Sequence, residues 1–235
     1  EGEYQIAAYA LGQDYHDIVK GKLRELVQRV FGKDSSYTSS EPLFDKESIR
    51  VFSDSAPVLE RYWAVKAGLG WVGRNHQLII PRAGSMFFLG EVFLPIVLEY
   101  DSPMESKCGN CHKCIDACPT KALMMSGENK GHCTFLSSKC LSYQTIENRG
   151  DIPDDMAKAM GDTIYGCDRC QQACPWNRYA HPTNEPLLRP KEELMEMTRE
   201  QWQSLSEEDY RRLFKGSAVK RAKYEGLMRN INKVK

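Results

Sequence analysis

The chain reads CGNCHKCIDACP over residues 108–119 and CDRCQQACP over residues 167–175, and these two stretches decide its fold. Closely spaced cysteines followed by one directly before a proline are the spacing that wraps a 4Fe–4S cube in bacterial iron–sulfur proteins. In that arrangement the cysteine before the proline binds the other cluster. The two stretches therefore predict a unit that holds two 4Fe–4S clusters.

Exchange of the two cysteines that precede proline gives each cluster a defined set of ligands. Cluster one takes Cys108, Cys111, Cys114 and Cys174. Cluster two takes Cys118, Cys167 and Cys170, and it needs one further ligand because the second stretch has one cysteine fewer. Cys133 and Cys140 are both candidates for that position. Eight ligands then use eight of the nine cysteines, which explains the odd count.

A pair of tetrahedral zinc sites is the alternative, since Cys-x2-Cys pairs also bind zinc. The cysteine before the proline favours iron–sulfur, because zinc ribbons do not need it. All nine cysteines lie between Cys108 and Cys174, which is unlike the pairing that staples a small secreted domain. The first residues do not form a basic, apolar signal peptide. We therefore expect metal-binding thiols in a reducing cytoplasm.

Length and composition describe a folded, neutral chain with an uneven charge distribution. The 235 residues are 41% hydrophobic, enough for a real core. The longest apolar run, residues 86–98, is interrupted by Gly90, Glu91 and Pro95, so we expect no membrane span. Residues 211–235 hold nine Lys or Arg and one acidic residue, a net +8 that leaves −8 elsewhere. A basic tail favours an anionic polymer as partner, with a solvated helix face as the alternative.

The pattern of apolar residues divides the chain into three parts and predicts an α+β fold. Residues 1–104 read as a mixed α/β domain, with helices over 15–31 and 57–68 and strands over 49–52, 77–80 and 86–94. Residues 105–182 form the domain with two clusters, with a short helix expected after each Cys-Pro. Residues 183–235 are a short helical, basic segment, with helices over 191–197 and from 198 onward, where Thr198 and Gln201 fit a capping box.

Low-potential clusters move single electrons, so the reacting centre should lie elsewhere, in the first hundred residues. Three stretches there are candidates: residues 9–16, the loop with Asp54, and the glycine-rich residues 67–75. Each has a plainer interpretation. Asp54 could cap the helix that follows it, and His16 could be an ordinary polar residue. The glycines follow a helix rather than a strand, which makes a dinucleotide site a weak interpretation.

The sequence resembles the epoxyqueuosine reductase family over essentially its whole length. The resemblance rests on seven stretches, which read ALGQDYH at 10–16, DSAPVLER at 54–61, AGLGWVGRN at 67–75, GSMFFLGE at 84–91, CLSYQTIE at 140–147, YGCDRCQ at 165–171 and FKGSAVKRAK at 214–223. Family members commonly carry a further segment upstream, and many carry helical repeats downstream. Where the family often has Lys before Asn75, this chain has Arg74, which keeps the charge but not the geometry.

The resemblance implies cofactors and roles for individual residues. It implies a first domain that binds cobalamin, a ferredoxin-like domain that feeds electrons to cobalt, and Cys140 as the outside ligand of cluster two. Asp54 matches the family's proposed proton donor. It can serve as an acid only if burial raises its pKa above the usual value. The implied cofactor contacts are Tyr15, Leu59, Glu60, Arg61, Asn75, Leu78, Leu89, Ser142 and Asp168.

The implied reaction is reduction of epoxyqueuosine to queuosine at the wobble position of tRNA. Arg221, Lys223 and Arg229 are the candidates for neutralising tRNA phosphates. An external low-potential electron donor, of the ferredoxin or flavodoxin type, would supply the clusters. The alternatives are a cobalamin enzyme similar to reductive dehalogenases and a ferredoxin-type electron-transfer module without catalysis of its own. Bound corrinoid would separate the enzyme from the module.

Overall fold

The computed structural model describes residues 3–32, 48–125 and 133–234. Its strands are β1 (Gln5–Ile6), β2 (Arg50–Phe52), β3 (Trp71–Val72), β4 (Leu78–Ile79), β5 (Glu91–Phe93), β6 (Leu123–Met125), β7 (Cys133–Phe135) and β8 (Thr163–Tyr165). Its α-helices are α1 (Tyr15–Phe31), α2 (Glu60–Lys66), α3 (Lys113–Asp116), α4 (Leu141–Ile146), α5 (Asp154–Met160), α6 (Arg169–Gln172), α7 (Glu192–Glu196), α8 (Arg199–Gln203), α9 (Glu207–Leu213) and α10 (Lys223–Lys233). The mixture of helices and strands agrees with the predicted α+β class.

Within the described residues, the strands form four two-stranded pairs. The pair β1–β8 is parallel, and the pairs β2–β5, β3–β4 and β6–β7 are antiparallel. The β2–β5 register places Phe52 opposite Glu91. The chain leaves β2 at Phe52 and reaches Asp54 two residues later, so this pair fixes the start of the Asp54 loop.

Most predicted elements are present, usually shorter than expected. The helix over 15–31 is confirmed, and the Asp14 side chain caps it by accepting a hydrogen bond from the His16 N–H at 3.1 Å. The predicted capping box of Thr198 and Gln201 is also confirmed. The helix expected over 57–68 is limited to α2, because a left-handed Gly68 at φ 66° ends it and Leu59 precedes it in a non-helical conformation.

Two local predictions are wrong in part. Residues 86–90 of the strand expected over 86–94 do not belong to a strand, and Ser85 just before them donates its N–H to Oδ1 of Asn177 at 2.6 Å. The Cys-Pro at 174–175 does begin a short 3₁₀ helix, Pro175–Tyr179. The Cys-Pro at 118–119 instead begins a turn that leads into β6, with Lys121 at φ 53°. The short helices of this part, α3 and α6, come before those cysteines rather than after them.

The largest buried cluster joins the C-terminal helices to the strand that precedes cluster two. Ile164 and Tyr165 of β8, Leu141 of α4, Phe214, and Leu227 of α10 are almost fully buried in it. Packing therefore crosses the predicted boundary between residues 182 and 183. The β1–β8 pair likewise crosses the boundary between residues 104 and 105. The bounds of the three domains therefore remain predictions.

Asn230 connects three elements inside this core. Its side chain is 0% exposed, and its amide donates to the carbonyl oxygens of Thr145 and Ile164, each at 2.8 Å. Its Oδ1 accepts from the Arg229 guanidinium at 2.8 Å. A buried carbonyl without a partner costs free energy, so this single amide links α10 to α4 and β8.

Asn230→Ala should therefore lower the free energy of unfolding by about 2–4 kcal/mol, because it leaves two buried carbonyls without donors. Asn232→Ala on the same helix is the matched control. Asn232 is exposed, so its replacement should change stability by less than about 0.5 kcal/mol. Urea unfolding of the cluster-loaded protein measures both variants. Equal effects at the two positions would contradict the bridging role.

Candidate functional site

Two cavities gather eight of the nine cysteines into two sets of four. A cavity of about 110 Å³ is lined by four cysteines, Cys108, Cys111, Cys114 and Cys174. A second cavity of about 260 Å³ is lined by four others, Cys118, Cys140, Cys167 and Cys170. These are the two ligand sets expected from exchange of the pre-proline cysteines. Cys133 lines neither cavity.

Burial and crowding raise the pKa values of thiols in both sets. Burial, with the nearby sulfurs of Cys174 and Cys108 adding to the effect, raises the pKa of Cys114 to about 11. Burial also raises the pKa of Cys170 to about 12, with Cys167 and Cys140 adding to the effect. Thiolates crowded in this way repel one another, and a cationic iron centre relieves that repulsion.

The arrangement does not match the zinc alternative. In the described part of the chain, no three His, Cys, Asp or Glu side chains converge closely enough to hold one metal ion. A structural zinc ion would need four such atoms, with sulfurs about 2.3 Å from it. Thiolates that each bind a different iron of a cube are spread more widely around a shared volume.

Trp71 donates a hydrogen bond to a predicted ligand of cluster one. Its indole N–H lies 3.4 Å from Sγ of Cys108, and the side chain is 2% exposed. Trp176 packs edge-on against its ring at a centroid distance of 5.0 Å. A donor to a ligating sulfur stabilises the more negative, reduced cluster, so hydrogen bonds of this kind help to set the reduction potential.

Trp71→Phe should therefore make the potential of cluster one more negative by about 20–60 mV, the equivalent of one ordinary hydrogen bond in a one-electron couple. Trp176→Phe alters the same aromatic contact but leaves the Trp71 N–H in place, so it serves as the control. A redox titration followed by EPR measures both. An unchanged potential in the Trp71 variant would show that the bond has no influence.

The Asp54 loop lies beside the first turn of α1. The Tyr15 hydroxyl donates to Oδ2 of Asp54 at 2.5 Å, and Asp54 adopts a left-handed conformation at φ 51°. The Tyr15 ring is stacked between His16 and Phe88, with centroid distances of 4.1 and 4.3 Å. Burial and the Asp54 carboxylate both raise the pKa of Tyr15, so the phenol stays protonated and keeps donating. The Asp54 side chain is nevertheless 63% exposed, so the burial expected of a proton donor is not supplied by the described residues alone.

A second contact to Asp54 comes from His16, which Asp14 orients, and both residues lie in the candidate stretch 9–16. Nε2 of His16 lies 3.7 Å from Oδ2 of Asp54, and Nδ1 lies 2.6 Å from Oδ1 of Asp14. Asp14 therefore orients the imidazole toward Asp54. From the sequence, His16 could equally be an ordinary polar residue, and only the structure shows that it faces Asp54.

The other implied cofactor contacts fall into three groups. Four of them line the cavity of cluster two: Arg61, Asn75, Ser142 and Asp168. Tyr15, Glu60 and Leu59 lie at the Asp54 loop, with Leu59 exposed at 70%. Leu78 is buried at 2%, and the Leu89 carbonyl accepts from the Ser53 hydroxyl at 2.8 Å, so these two could contact a ligand only through limited surface.

Asn75 supplies the best sign that a polar ligand belongs in this region. The residue is 4% exposed, and its buried Nδ2 has no hydrogen-bond partner among the residues that the structure describes. Its Oδ1 accepts from the Gln77 N–H at 3.2 Å, which orients the free amide. A buried donor of this kind is costly unless a ligand accepts from it. A corrin edge carries many amide oxygens, so the residues present fit cobalamin.

The three candidate tRNA residues differ in how far contacts inside the protein already occupy them. Arg229 donates to the carbonyl oxygens of Gln144, Asn148 and Gly150 at 2.6–2.9 Å, so its guanidinium holds the turn after α4. Arg221 forms a bidentate pair with Glu147 at 2.9 Å. Lys223 is exposed. Little of the Arg229 guanidinium is therefore left for a phosphate, and Arg221 is available only partly, so the tRNA contacts stay predictions.

Other charges of the basic tail are also paired with acidic residues. Arg211, Arg212 and Lys233 pair with Glu207, Glu193 and Asp151 at 2.6–3.0 Å. The net +8 of this segment thus overstates the positive charge that an external ligand would meet. Across the described residues, no helix combines the length and the apolar character needed to cross a membrane.

Comparison with known proteins gives a consistent result for both halves of the site. A family model described as a 4Fe-4S double cluster binding domain matches residues 107–177. Another, described as epoxyqueuosine reductase QueG, DUF1730, matches residues 1–55. The first model supports two iron–sulfur clusters in the cysteine-rich part. The second covers the helix-cap segment and the Asp54 loop as far as residue 55.

Two curated relatives extend this similarity along the chain. The epoxyqueuosine reductase of Cellulophaga algicola is 41% identical over 235 residues, which cover all of this chain and 72% of that protein. The epoxyqueuosine reductase of Escherichia coli K12 is 40% identical over 226 residues, which cover 96% of this chain and 55% of that protein.

Solved structures show the same fold. An epoxyqueuosine reductase in complex with an epoxyqueuosine-modified tRNA-Tyr stem loop matches 98% of this chain and 57% of its own length, with a TM-score of 0.81 and 28% identity. The Bacillus subtilis enzyme, described with its catalytic aspartate loop swung out of the active site, matches all of this chain with a TM-score of 0.81 and 28% identity. This chain spans 57% of that solved chain as well. With two cysteine sets, the Asp54 loop and this degree of identity, the chain belongs to the epoxyqueuosine reductases, a family of oxidoreductases.

Proposed function

We propose that this chain reduces epoxyqueuosine to queuosine at the wobble position of tRNA, with cobalamin bound beside Asp54 and cluster two. The observation that carries this assignment is one continuous cavity, lined both by Cys118, Cys140, Cys167 and Cys170 and by Arg61, Asn75 and Ser142. The ligands of cluster two and the implied corrin contacts thus line the same cavity. When bound, the two clusters and the corrin cobalt supply the two electrons that the reaction consumes.

The protons of the reaction are the part that the chain itself provides. Conversion of an epoxide to an alkene takes two electrons and two protons and releases the oxygen as water. The departing oxygen needs an acid, which contributes about 10²–10⁴ in rate. We assign this role to Asp54, held by the Tyr15 hydroxyl and faced by His16. The Bacillus subtilis relative is described with its catalytic aspartate loop swung out of the active site, and we propose the Asp54 loop as its counterpart.

In this proposal a bound ligand covers Asp54, whose carboxyl group is exposed in the protein alone. The carboxyl group is open to solvent in the protein alone, and apolar side chains around it, including Leu59 and Trp63, are exposed as well. A corrin and a nucleobase seated over this loop would bury the carboxyl group and these side chains together. Burial then favours the protonated carboxyl that an acid catalyst needs.

We further propose that tRNA meets the segment around Ala218–Ala222. This segment presents exposed Lys220, Arg221 and Lys223. Phosphate binding by these residues should weaken as salt increases. An external low-potential donor of the ferredoxin or flavodoxin type completes the proposal, and the cytoplasm is the compartment that keeps the thiols reduced.

One assay tests the proposed reaction directly. The cluster-loaded protein is incubated anaerobically with cobalamin, a strong chemical reductant and tRNA that contains epoxyqueuosine, and the nucleosides are then analysed. Queuosine should appear only when cobalamin is present. Queuosine formation without added or bound corrinoid would contradict the proposed cofactor, and no queuosine from fully loaded protein would contradict the proposed reaction.

A further inference from the structure

Two acidic side chains, Glu60 and Glu91, lie close together next to the Asp54 loop. Glu91 begins β5 opposite Phe52, the last residue of β2. Glu60 is the first residue of α2. The two carboxyl groups are close enough for Glu60 to act on Glu91. Two carboxylates brought together in this way repel each other, so the pair is stabilised when one of them holds a proton.

The surroundings identify Glu91 as the protonated member. Its Oε2 is buried and has no partner in the part of the chain that the structure describes, as an ionised oxygen should not be. At the neighbouring Gly90, a Cβ would meet the apolar side chains of Val19 and Leu23 from α1. The charged groups that act on Glu91, Glu60 from α2 and Asp54 from the loop, are both acidic. Burial, reinforced by Glu60, raises the pKa of Glu91 to about 7.

The pair is joined directly to the catalytic loop. The backbone N–H of Asp54 donates to Oε1 of Glu60. Asp54 is in a left-handed conformation, which few residues other than glycine adopt and which contacts on both sides help to maintain. Tyr15 supplies the contact on the carboxyl side, and Glu60 supplies the contact on the backbone side. Glu60 keeps its hydrogen bond to the Asp54 N–H only if the nearby Glu91 carboxyl group does not repel it.

We propose that Glu91 is a positioning residue, whose carboxyl proton is shared with Glu60 and thereby holds the Asp54 loop in place for proton transfer. When Glu91 loses this proton, its negative charge faces that of Glu60. The bond that holds Glu60 against the Asp54 N–H is then opposed by repulsion from Glu91. The inference rests on the proposed function, because it assigns a support to the acid of that reaction.

Glu91→Gln separates this role from simple packing. Glutamine has nearly the same shape, and its amide donates to Glu60 at every pH. The rate of queuosine formation in the variant, divided by the wild-type rate, should therefore rise about tenfold from pH 6 to pH 8, as wild-type Glu91 ionises around pH 7. Using this ratio removes the pH dependence of the other groups, including Asp54. Glu99→Gln makes the same chemical change at an exposed position and should keep the ratio constant.

An infrared pH titration of the protein without tRNA provides an independent measurement. Wild type and Glu99→Gln should show a protonated carboxyl band that disappears around pH 7, and Glu91→Gln should lack this band. Glu60→Gln covers the case in which Glu91→Gln fails to fold. Its amide can donate to Glu91 while its carbonyl accepts from Asp54, so its rate ratio should also rise with pH.

A rate ratio that stays constant from pH 6 to pH 8 in the variant would overturn the proposal, and so would the absence of the carboxyl band from wild type. Failure of the proposed function gives a different result. In that case wild-type protein forms no queuosine at pH 6, whereas the infrared titration still shows whether Glu91 and Glu60 share a proton.

Discussion

Replacing Asp54 with asparagine is expected to lower the rate of queuosine formation by about 10²–10⁴-fold, the contribution of a positioned general acid. The substitution suits the site because asparagine tolerates the left-handed conformation at φ 51° as well as aspartate does. Its side-chain oxygen can still accept from the Tyr15 hydroxyl. The variant therefore keeps the loop and removes the acidic proton.

Two further measurements make this result specific. Cobalamin binding, followed by the visible spectrum, should be unchanged in Asp54→Asn, because the variant retains the neighbouring contacts at Glu60 and Arg61. Asp17→Asn is the matched control, since Asp17 is an exposed aspartate on the adjoining helix α1 and should keep the wild-type rate. A wild-type rate in Asp54→Asn would show that the proton comes from elsewhere, with His16 the nearest alternative at 3.7 Å from Asp54.

The second large effect is expected at Cys140. Cys140→Ser should remove one of the two clusters, halve the iron and sulfide content per chain, and abolish turnover. Cys140 lines the same cavity as Cys118, Cys167 and Cys170, and it is the only cysteine from outside the two motifs that does so among the described residues. Serine is a poor ligand for iron in such clusters, because the thiolate is the group that binds.

Cys133→Ser is the matched control for the same substitution. Cys133 lies at the start of β7, where its carbonyl accepts from Nε2 of His76 at 2.9 Å and its thiol lies near the Thr134 carbonyl. The variant should retain both clusters and its activity. Iron and sulfide analysis, together with EPR of the reduced protein, measures both variants. Cluster loss in Cys133→Ser with retention in Cys140→Ser would reverse the ligand assignment.

Features set by short-range chemistry could be predicted from the sequence. Helix α1 follows from the spacing of its apolar residues and from Gly32 at its end, and the capping box at Thr198 needs only residues three apart. The division of the cysteines into two sets also follows from spacing, because the short loops of each motif leave little freedom. In each case the partners are close in sequence.

Features that depend on distant contacts could not be predicted. Residues 86–90 have strand-like composition but lie outside any strand, and Ser85 beside them binds Asn177, 92 residues away, a contact that no local pattern predicts. Arg229 looks like a phosphate ligand in a basic tail, yet the turn after α4 supplies carbonyls that occupy it. Glu60 and Glu91 come together only because β2 pairs with β5. No local sequence pattern predicts these long-range contacts.

The position of α10 has a consequence for how the protein is made. Strand β8 leads directly into Cys167, and Asn230 of α10 binds the Ile164 carbonyl of that strand. The last helix of the described chain thus completes the wall behind two ligands of cluster two. The ribosome must therefore release α10 before this wall can close. Iron insertion at this cluster is accordingly expected to follow the synthesis of α10, and a chain cut before Lys223 should hold less iron at cluster two.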